Sequence, residues 1–440
     1  NDFVEHIRPG AVDISGVLAR YLHLPQFQII AITSFEGLHR YIELNSSIAS
    51  LFEKVEVQEL SKEETILVLE QAALTMERKY KRFVTYPAIR EVVEGAEKYI
   101  HDIPFPRKAL DLLDEVMVYV SQSTKSSFVL PEHVAQVLSE RTQIPVGKIE
   151  AKEREILLNL EKLLHQRIIN QEEAVVEVSS ALRRARSEVS SRKGPMGTFL
   201  FLGPTGVGKT ETSKALAEVY FGSEERMIRL DMPEFQNPED VVRLLGSRDQ
   251  DGLLTTPIRE NPFSLVLLDE FEKAHPNIHN LFLQVLDEGW VTDGLGRKVD
   301  FSHTIIIATS NAGYQVILEA IKSRENWSRV KEKLIDYLFA NNIFRPEFLN
   351  RFDAVVVFGP LNHQHLIAIA GLMLEKVRKN LSEKGINFIV TDELKEKIAQ
   401  LGYDPRFGAR HMRRVLQDKI EDVIASSLLS QELKLSLIHI

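Results

Sequence analysis

The segment Gly203-Pro204-Thr205-Gly206-Val207-Gly208-Lys209-Thr210 constrains this chain more than any other. It has the pattern G-x-x-x-x-G-K-[ST], follows a β-rich run and opens a helical segment, which argues against the alternative of a ligand-free glycine-rich turn. The glycines let backbone N–H groups turn inward around phosphate oxygens, and the helix start adds a favourable dipole. Lys209 is predicted to reach the β- and γ-phosphates, and the Thr210 hydroxyl to bind Mg²⁺. We therefore expect a site for ATP and Mg²⁺.

The fold class follows from five short apolar runs. Near-continuous apolar runs separated by helix-length segments predict parallel strands buried on both faces, hence an α/β sheet. After residue 360 the pattern is helical, which predicts a helical lid on an α/β core; upstream, Asn170 is a plausible cap for the helix that follows it. The five runs are TFLFL (198–202), MIRL (227–230), SLVLL (264–268), TIIIA (304–308) and AVVVF (354–358).

Polar side chains follow two of these predicted strands. Asp269 and Glu270 lie at the carboxyl end of the third strand, where ligands of open α/β sheets bind. We expect Asp269 to take part in the coordination of Mg²⁺, and Glu270 to act as the general base that orients the attacking water. Asn311, after the fourth strand, is expected to bond that water or the γ-phosphate; a simple turn residue is the alternative.

Three arginines add candidates for catalysis. Arg351 lies in RPEFLNR just before the fifth strand, and Arg410 lies in FGAR within the predicted lid. We expect Arg351 to reach into a neighbouring subunit and Arg410 to close the lid on its own nucleotide. Arg345 has no assigned role. For each of the three, a surface arginine with weak ion pairs is the alternative.

Composition excludes several classes of function. At 440 residues the chain is too long for one ordinary hydrophobic core, so two or more domains are expected. The absence of cysteine excludes disulfides, thiolate zinc sites and cysteine nucleophiles. A net charge of −9 argues against a nucleic-acid partner, and no apolar run approaches the roughly 20 residues of a membrane span. The cytoplasm is the expected location. The start at Asn1 and the LSLIHI tail, which resembles a translated library adapter, predict a fragment; a natural strand is the alternative for the tail.

An internal repeat predicts a second module. IIAITS (29–34) is similar to IIIATS (305–310), and LFEKVEVQEL (51–60) is similar to RFDAVVVFGPL (351–361). Two matches in the same order favour a duplicated module over chance. Residues 1–140 are then interpreted as the back half of a first module.

Together these motifs resemble the AAA+ ATPases of the Clp unfoldase family, such as ClpA, ClpB and ClpC. The resemblance implies that the Walker A residues Lys209 and Thr210 and the Walker B residues Asp269 and Glu270 carry hydrolysis. It also implies that Asn311 is sensor 1, Arg351 the trans arginine finger and Arg410 sensor 2, in hexameric rings that unfold and thread polypeptides. RIINQEEAV (167–175) resembles the adenine-side segment, with Ile168 and Ile169 beside the base and Asn170 where glycine is usual. The matching motifs are GPTGVGKTE, LLDEFEKAHP, VTDGLGRKVDF, TSNAG, FRPEFLNRFD and GYDPRFGARHMRR.

The resemblance divides the chain into five parts. They are the end of a degenerate first core (1–60), its helical lid (61–145), a second ATPase core (146–360), a C-terminal lid (361–434) and a library scar (435–440).

The chain also departs from the family pattern. Between LLGS (244–247) and DGLL (251–254) only Arg248, Asp249 and Gln250 stand where the family has an aromatic gripping loop, and Ser50 and Leu51 replace two arginines of the first module. No room for the coiled-coil insertion lies between Glu115 and Val129, and no docking tripeptide for a ClpP-type peptidase is visible.

Three functions remain open. The first is an ATP-driven unfoldase or chaperone subunit acting on proteins. The second is a divergent ATPase that remodels or regulates a partner without threading it. The third, a scaffold that uses ATP only to hold a ring together, agrees poorly with the retained Glu270 and Arg351.

Overall fold

The computed structural model describes residues 29–33, 38, 42, 49–50, 52–100, 103–142, 144, 151–186, 194–323, 327–402 and 408–429. The chain divides into two compact units, residues 1–64 and 65–440. Within the described residues, no helix is both long and apolar enough to cross a membrane.

The described residues of the first unit do not form the strands that the internal repeat predicts. Its described residues 29–33 and 52–60 form no strand, and their apolar side chains are exposed, Ile30 by 92% and Val57 by 85%. A strand of a parallel sheet needs neighbouring strands to pair its backbone hydrogen bonds, and it needs other elements to cover both its faces. Leu51 lies outside the described residues. The assignment of 1–60 to a first ATPase core stays a prediction.

The second unit begins with a small helical layer. Its two short strands pair in parallel, with Phe83 opposite Phe128. Helix α3 ends at Ser123, and only four residues separate it from β2, so this connection holds no coiled-coil insertion. The elements are α1 (Lys62–Tyr80), β1 (Phe83–Val84), α2 (Tyr86–Tyr99), α3 (Arg107–Ser123), β2 (Phe128–Val129) and α4 (Pro131–Thr142).

A five-stranded sheet forms the centre of this unit, and all its neighbouring strands are parallel. The order is β4-β5-β8-β3-β9, and every residue of β3 and β8 is buried. The α/β prediction is therefore confirmed. The strands are β3 (Gly197–Leu202), β4 (Met227–Asp231), β5 (Leu265–Asp269), β8 (Ile305–Ser310) and β9 (Ala354–Val357); β6 (Trp290–Thr292) and β7 (Lys298–Asp300) form a separate antiparallel hairpin.

Helices cover both faces of the sheet, and two apolar clusters fill the space between the layers. The helices are α5 (Ala151–Leu158), α6 (Leu160–His165), α7 (Glu172–Arg186), α8 (Lys209–Phe221), α9 (Asp240–Leu245), α10 (Thr255–Glu260), α11 (Pro276–Glu288), α12 (Tyr314–Lys322), α13 (Trp327–Ala340) and α14 (Pro346–Leu349).

The C-terminal part is helical, as the sequence predicts, and has its own apolar core around Leu366, Leu374, Ile398 and Met412. Asn362 caps the first of these helices in a reciprocal capping box with His365. The tail from residue 430 lies outside the described residues. The helices are α15 (His363–Ser382), α16 (Asp392–Gly402), α17 (Arg410–Leu416), a π-helical segment (Gln417–Glu421) and α18 (Asp422–Leu429).

Candidate nucleotide-binding site

The phosphate loop connects β3 to α8, so its backbone leaves the carboxyl end of a buried central strand. Gly203 has φ 154°, and a Cβ there would lie 2.8 Å from the carbonyl oxygen of Phe358. Gly208 has φ 110° with open space around it, so the backbone conformation alone requires glycine there. The conformation of the phosphate loop therefore depends on glycine at positions 203 and 208.

Lys209 is buried, with only 7% of its surface exposed. Its Nζ donates to the carbonyl oxygens of Gly203 (2.7 Å) and Pro204 (2.9 Å), and to Oδ1 of Asn311 (2.7 Å). Burial lowers the pKa of Lys209 to about 8, although nearby carboxylates oppose the shift. A buried ammonium whose hydrogen bonds go only to neutral oxygens fits a site that receives phosphate.

The acidic pair lies at the end of β5. Thr309 Oγ donates to Asp269 Oδ1 at 2.6 Å and accepts the Glu270 backbone N–H at 3.1 Å. Glu270 has φ 56°, a left-handed conformation that non-glycine residues seldom adopt and that is common at functional sites. Asn311 Nδ2 donates to Glu270 Oε1 at 3.3 Å. Asn311 thus contacts both Lys209 and Glu270.

Two contacts of this pair were not predicted from the sequence. Arg229 of β4 lies between two carboxylates, with 2.7 Å to Asp231 Oδ1 and 2.8 Å to Asp269 Oδ2. The other is Thr309, described above. The register that sets Asp231 beside Asp269 in adjacent strands explains the first contact, and sequence alone does not reveal that register.

A cavity of about 1260 Å³ opens beside the loop and is lined in part by Pro204, Thr205, Val207, Glu272 and Asn311. Its volume exceeds the roughly 300–1,000 Å³ common for small-molecule sites, although Lys209, Asp269 and Glu270 are not among its lining residues.

The predicted adenine-side segment follows α6 in the chain, and none of its residues is among those that line this cavity. Ile168 is buried, Ile169 is half-buried, and Asn170 has φ 62°. A left-handed backbone is tolerated by asparagine, which explains its presence where glycine is usual. The predicted capping role is wrong, because α7 begins at Glu172 directly after Gln171.

Gln171 ties this segment to the core. Its buried amide donates to the Gly359 oxygen at 2.8 Å and to the Val207 oxygen at 3.3 Å, and it accepts the Gly359 N–H at 3.1 Å. No sequence signal singled this residue out.

Comparisons with known proteins agree with this geometry. An AAA domain of the Cdc48 subfamily matches residues 194–355, the C-terminal D2-small domain of ClpB matches 361–439, and an AAA lid domain matches 61–164. ClpE of Bacillus subtilis, an ATP-binding subunit of an ATP-dependent Clp protease, is 38% identical over 96% of this chain and 68% of its own length. The chain belongs to the Clp family of AAA+ ATPases.

Other relatives support the same family. The chaperone ClpB of Oceanobacillus iheyensis is 36% identical over 96% of this chain and 61% of its own length. A solved structure of Hsp104 from S. cerevisiae in complex with casein is 30% identical, covers 98% of this chain and 76% of that chain, and superposes with a TM-score of 0.85. The prediction of a Clp-type, nucleotide-binding ATPase is thus confirmed. The chain spans about two thirds of the length of these curated relatives.

The lid of this Clp-family chain touches the phosphate loop directly. The Ala409 N–H donates to the Gly206 oxygen at 3.2 Å, and a Cβ on Gly408 would lie 2.8 Å from the same oxygen. Arg410, the first residue of α17, is exposed and follows this contact. The structure therefore brings Arg410 close to the loop.

Arg351 lies elsewhere. Its Nε is 2.7 Å from Asp287 Oδ1 of α11, its side chain is 47% exposed, and it is not among the residues that line the cavity. Arg345 does line the cavity, although the sequence assigned it no role.

The shortened loop between α9 and α10 is a tight turn. The Ser247 N–H donates to the Gln250 oxygen at 2.8 Å, and the Leu253 N–H donates to the Arg243 oxygen at 2.9 Å. A Cβ on Gly294, in the neighbouring hairpin, would lie within 1.9 Å of the Gly246 oxygen. The exposed side chains of this loop are the polar ones of residues 248–251 and that of Leu253, which is 42% exposed.

Proposed function

We propose that this chain is an ATP-hydrolysing subunit of a Clp-type ring that unfolds or remodels protein substrates. The observation that carries the proposal is the contact of Asn311 with both Lys209 and Glu270. The Asn311 amide thereby links the Lys209 ammonium, which would bind the phosphates, to the Glu270 carboxylate, which would orient the attacking water.

Each predicted residue has a role in this proposal. The loop from Gly203 to Thr210 holds the phosphates, Ile168 and Ile169 flank the base, and Glu270 accepts the proton of the attacking water. Mg²⁺, when bound, would neutralise charge on the phosphates. Thr210 and Asp269 are the residues that would hold it, and Asp269 already meets a cation at 2.8 Å, that of Arg229.

Assembly is part of the same proposal. Arg351 is exposed and lies outside the cavity of its own chain, which supports a role at a neighbour's site in a hexameric ring. Arg410 would act on the nucleotide of its own chain. The Hsp104 relative is in complex with casein, which supports a protein substrate here.

The second candidate function is remodelling or regulation of a partner without threading. The tight turn at 246–252 favours it, because the three residues at its tip, Arg248, Asp249 and Gln250, include no aromatic side chain to grip a threaded chain. A ClpP-type peptidase partner, a cytoplasmic location and the five domain boundaries stay predictions.

One experiment separates these functions. A tagged, stably folded fluorescent protein is mixed with the purified protein and ATP, and fluorescence and phosphate release are recorded together, with Glu270→Gln as control. Loss of fluorescence that the control lacks supports unfolding. Phosphate release with unchanged fluorescence, across several tags, supports remodelling. No phosphate release from the wild type contradicts both.

A further inference from the structure

Glu272 lies in the short 3₁₀ turn Phe271–Lys273, two residues after Glu270. Its Oε1 accepts the backbone N–H of Asn311 at 3.0 Å. Asn311 in turn bonds Lys209 and Glu270 through its side chain. Glu272 therefore holds the backbone of Asn311, whose side chain joins Lys209 to Glu270.

Glu272 is half-buried, although the run DEFEKAH suggests a charged residue on the surface. Its Oε2 is buried and makes no hydrogen bond among the described residues. Burial raises the pKa of Glu272, although the backbone N–H groups of Asn311 and Glu272 itself favour the charged form. A buried oxygen without a partner is costly and needs an explanation.

The position of Glu272 offers one. Glu272 lines the nucleotide cavity together with Asn311 and Thr205. Among the carboxylates that stabilise the Lys209 ammonium, its electrostatic effect is the largest, ahead of those of Asp269 and Glu270. Glu272 therefore lies beside Lys209 and is connected to Glu270 through Asn311.

We propose that Glu272 is a positioning residue for ATP hydrolysis, which holds the Asn311 peptide so that the Asn311 amide spans Lys209 and Glu270. The inference rests on the proposed ATPase function. The Asn311 N–H needs a hydrogen-bond acceptor at this position, which the side-chain oxygen of a glutamine would also supply.

Two substitutions test this requirement. Glu272→Gln keeps the acceptor, and we expect its kcat to stay within about twofold of the wild type. Glu272→Ala removes the acceptor, and we expect kcat to fall about 10- to 100-fold, as for other residues that orient a reacting group from behind. KM for ATP should change little, since the phosphate loop is intact. Glu260→Ala, an exposed glutamate at the end of α10, is the matched control.

A double-mutant cycle shows whether Glu272 acts through Asn311. In an Asn311→Ala background, Glu272→Ala should lower kcat by less than twofold further. Thermal melting and binding of a fluorescent ATP analogue, measured on each variant, show whether the fold and the site persist. Additive losses in the cycle, or a Glu272→Gln variant as slow as Glu272→Ala, would overturn the inference. A wild type without ATPase activity would instead contradict the proposed function.

Discussion

Nζ of Lys209 lies 2.7 Å from Oδ1 of Asn311, and this contact joins the phosphate loop to the end of β8. Since the same amide donates to Glu270, a displacement of Asn311 affects phosphate binding and water activation together. Substitutions around this amide should therefore separate binding from hydrolysis.

Lys209→Met should abolish nucleotide binding, because it removes the buried cation. Glu270→Gln should bind ATP with nearly wild-type affinity and lose most hydrolysis, since it removes the base and keeps the loop. Equilibrium binding of a fluorescent ATP analogue, alongside phosphate release, measures both. Loss of binding in Glu270→Gln would contradict the assigned division of roles.

Nucleotide binding should take up a proton above neutral pH. The pKa of Lys209 is about 8 in the nucleotide-free protein, below the ordinary lysine value of 10.5. Phosphate oxygens favour the charged lysine and raise that pKa, so the complex holds a proton that the free protein loses as pH rises through 8. The affinity should therefore fall above pH 8, by at most about tenfold per pH unit.

Calorimetric titration in two buffers of different ionisation enthalpy measures this proton directly. Most of one proton should be taken up at pH 8.5, and little at pH 6.5. Equal uptake at both values would contradict the Lys209 assignment.

Gln171→Ala should destabilise the protein. The half-buried Gly359 N–H would lose its acceptor, which costs about 1 kcal/mol or more in the free energy of unfolding. Denaturant unfolding measures the change. Gln166→Ala, at an exposed position of the same segment, should change it by less than about 0.5 kcal/mol.

Arg351→Ala should leave the fold intact, because an exposed ion pair with Asp287 contributes at most about 1 kcal/mol. ATPase activity should fall on the order of 10³-fold or more if the arginine completes a neighbour's site. Mixing this variant with Glu270→Gln is the decisive test. In a mixed ring the Glu270→Gln subunit supplies Arg351 to a neighbouring site that retains Glu270, so ATPase activity should partly return. Arg329→Ala, another exposed arginine, should have no effect.

Gly294→Ala should destabilise the turn region by about 1–3 kcal/mol, because the new Cβ would overlap the Gly246 carbonyl. Gly371→Ala is the matched control. It lies in α15, where a Cβ meets nothing closer than 3.7 Å, and should be neutral or stabilising. Unchanged melting of Gly294→Ala would mean that the hairpin and the turn do not pack closely.

The sequence predicts well those features that depend on local patterns. The five strands, the phosphate loop and the acidic pair belong to this class, because apolar runs and glycine spacing encode them locally. The strand order, the Arg229–Asp269 contact and the role of Glu272 depend on which strands become neighbours. Strands in the first unit were predicted from similarity alone, and a strand pattern does not form a strand without a pairing neighbour.

The Ala409–Gly206 hydrogen bond has a mechanical consequence. The helical segment from Arg410 to Leu429 begins directly after this contact, and at 1.5 Å per residue a continuous helix of that length would span about 30 Å. A rotation of about 10° at Gly206 would swing its far end by about 5 Å. Chemistry on the scale of one phosphate bond would thus be magnified into a stroke as long as one helical turn.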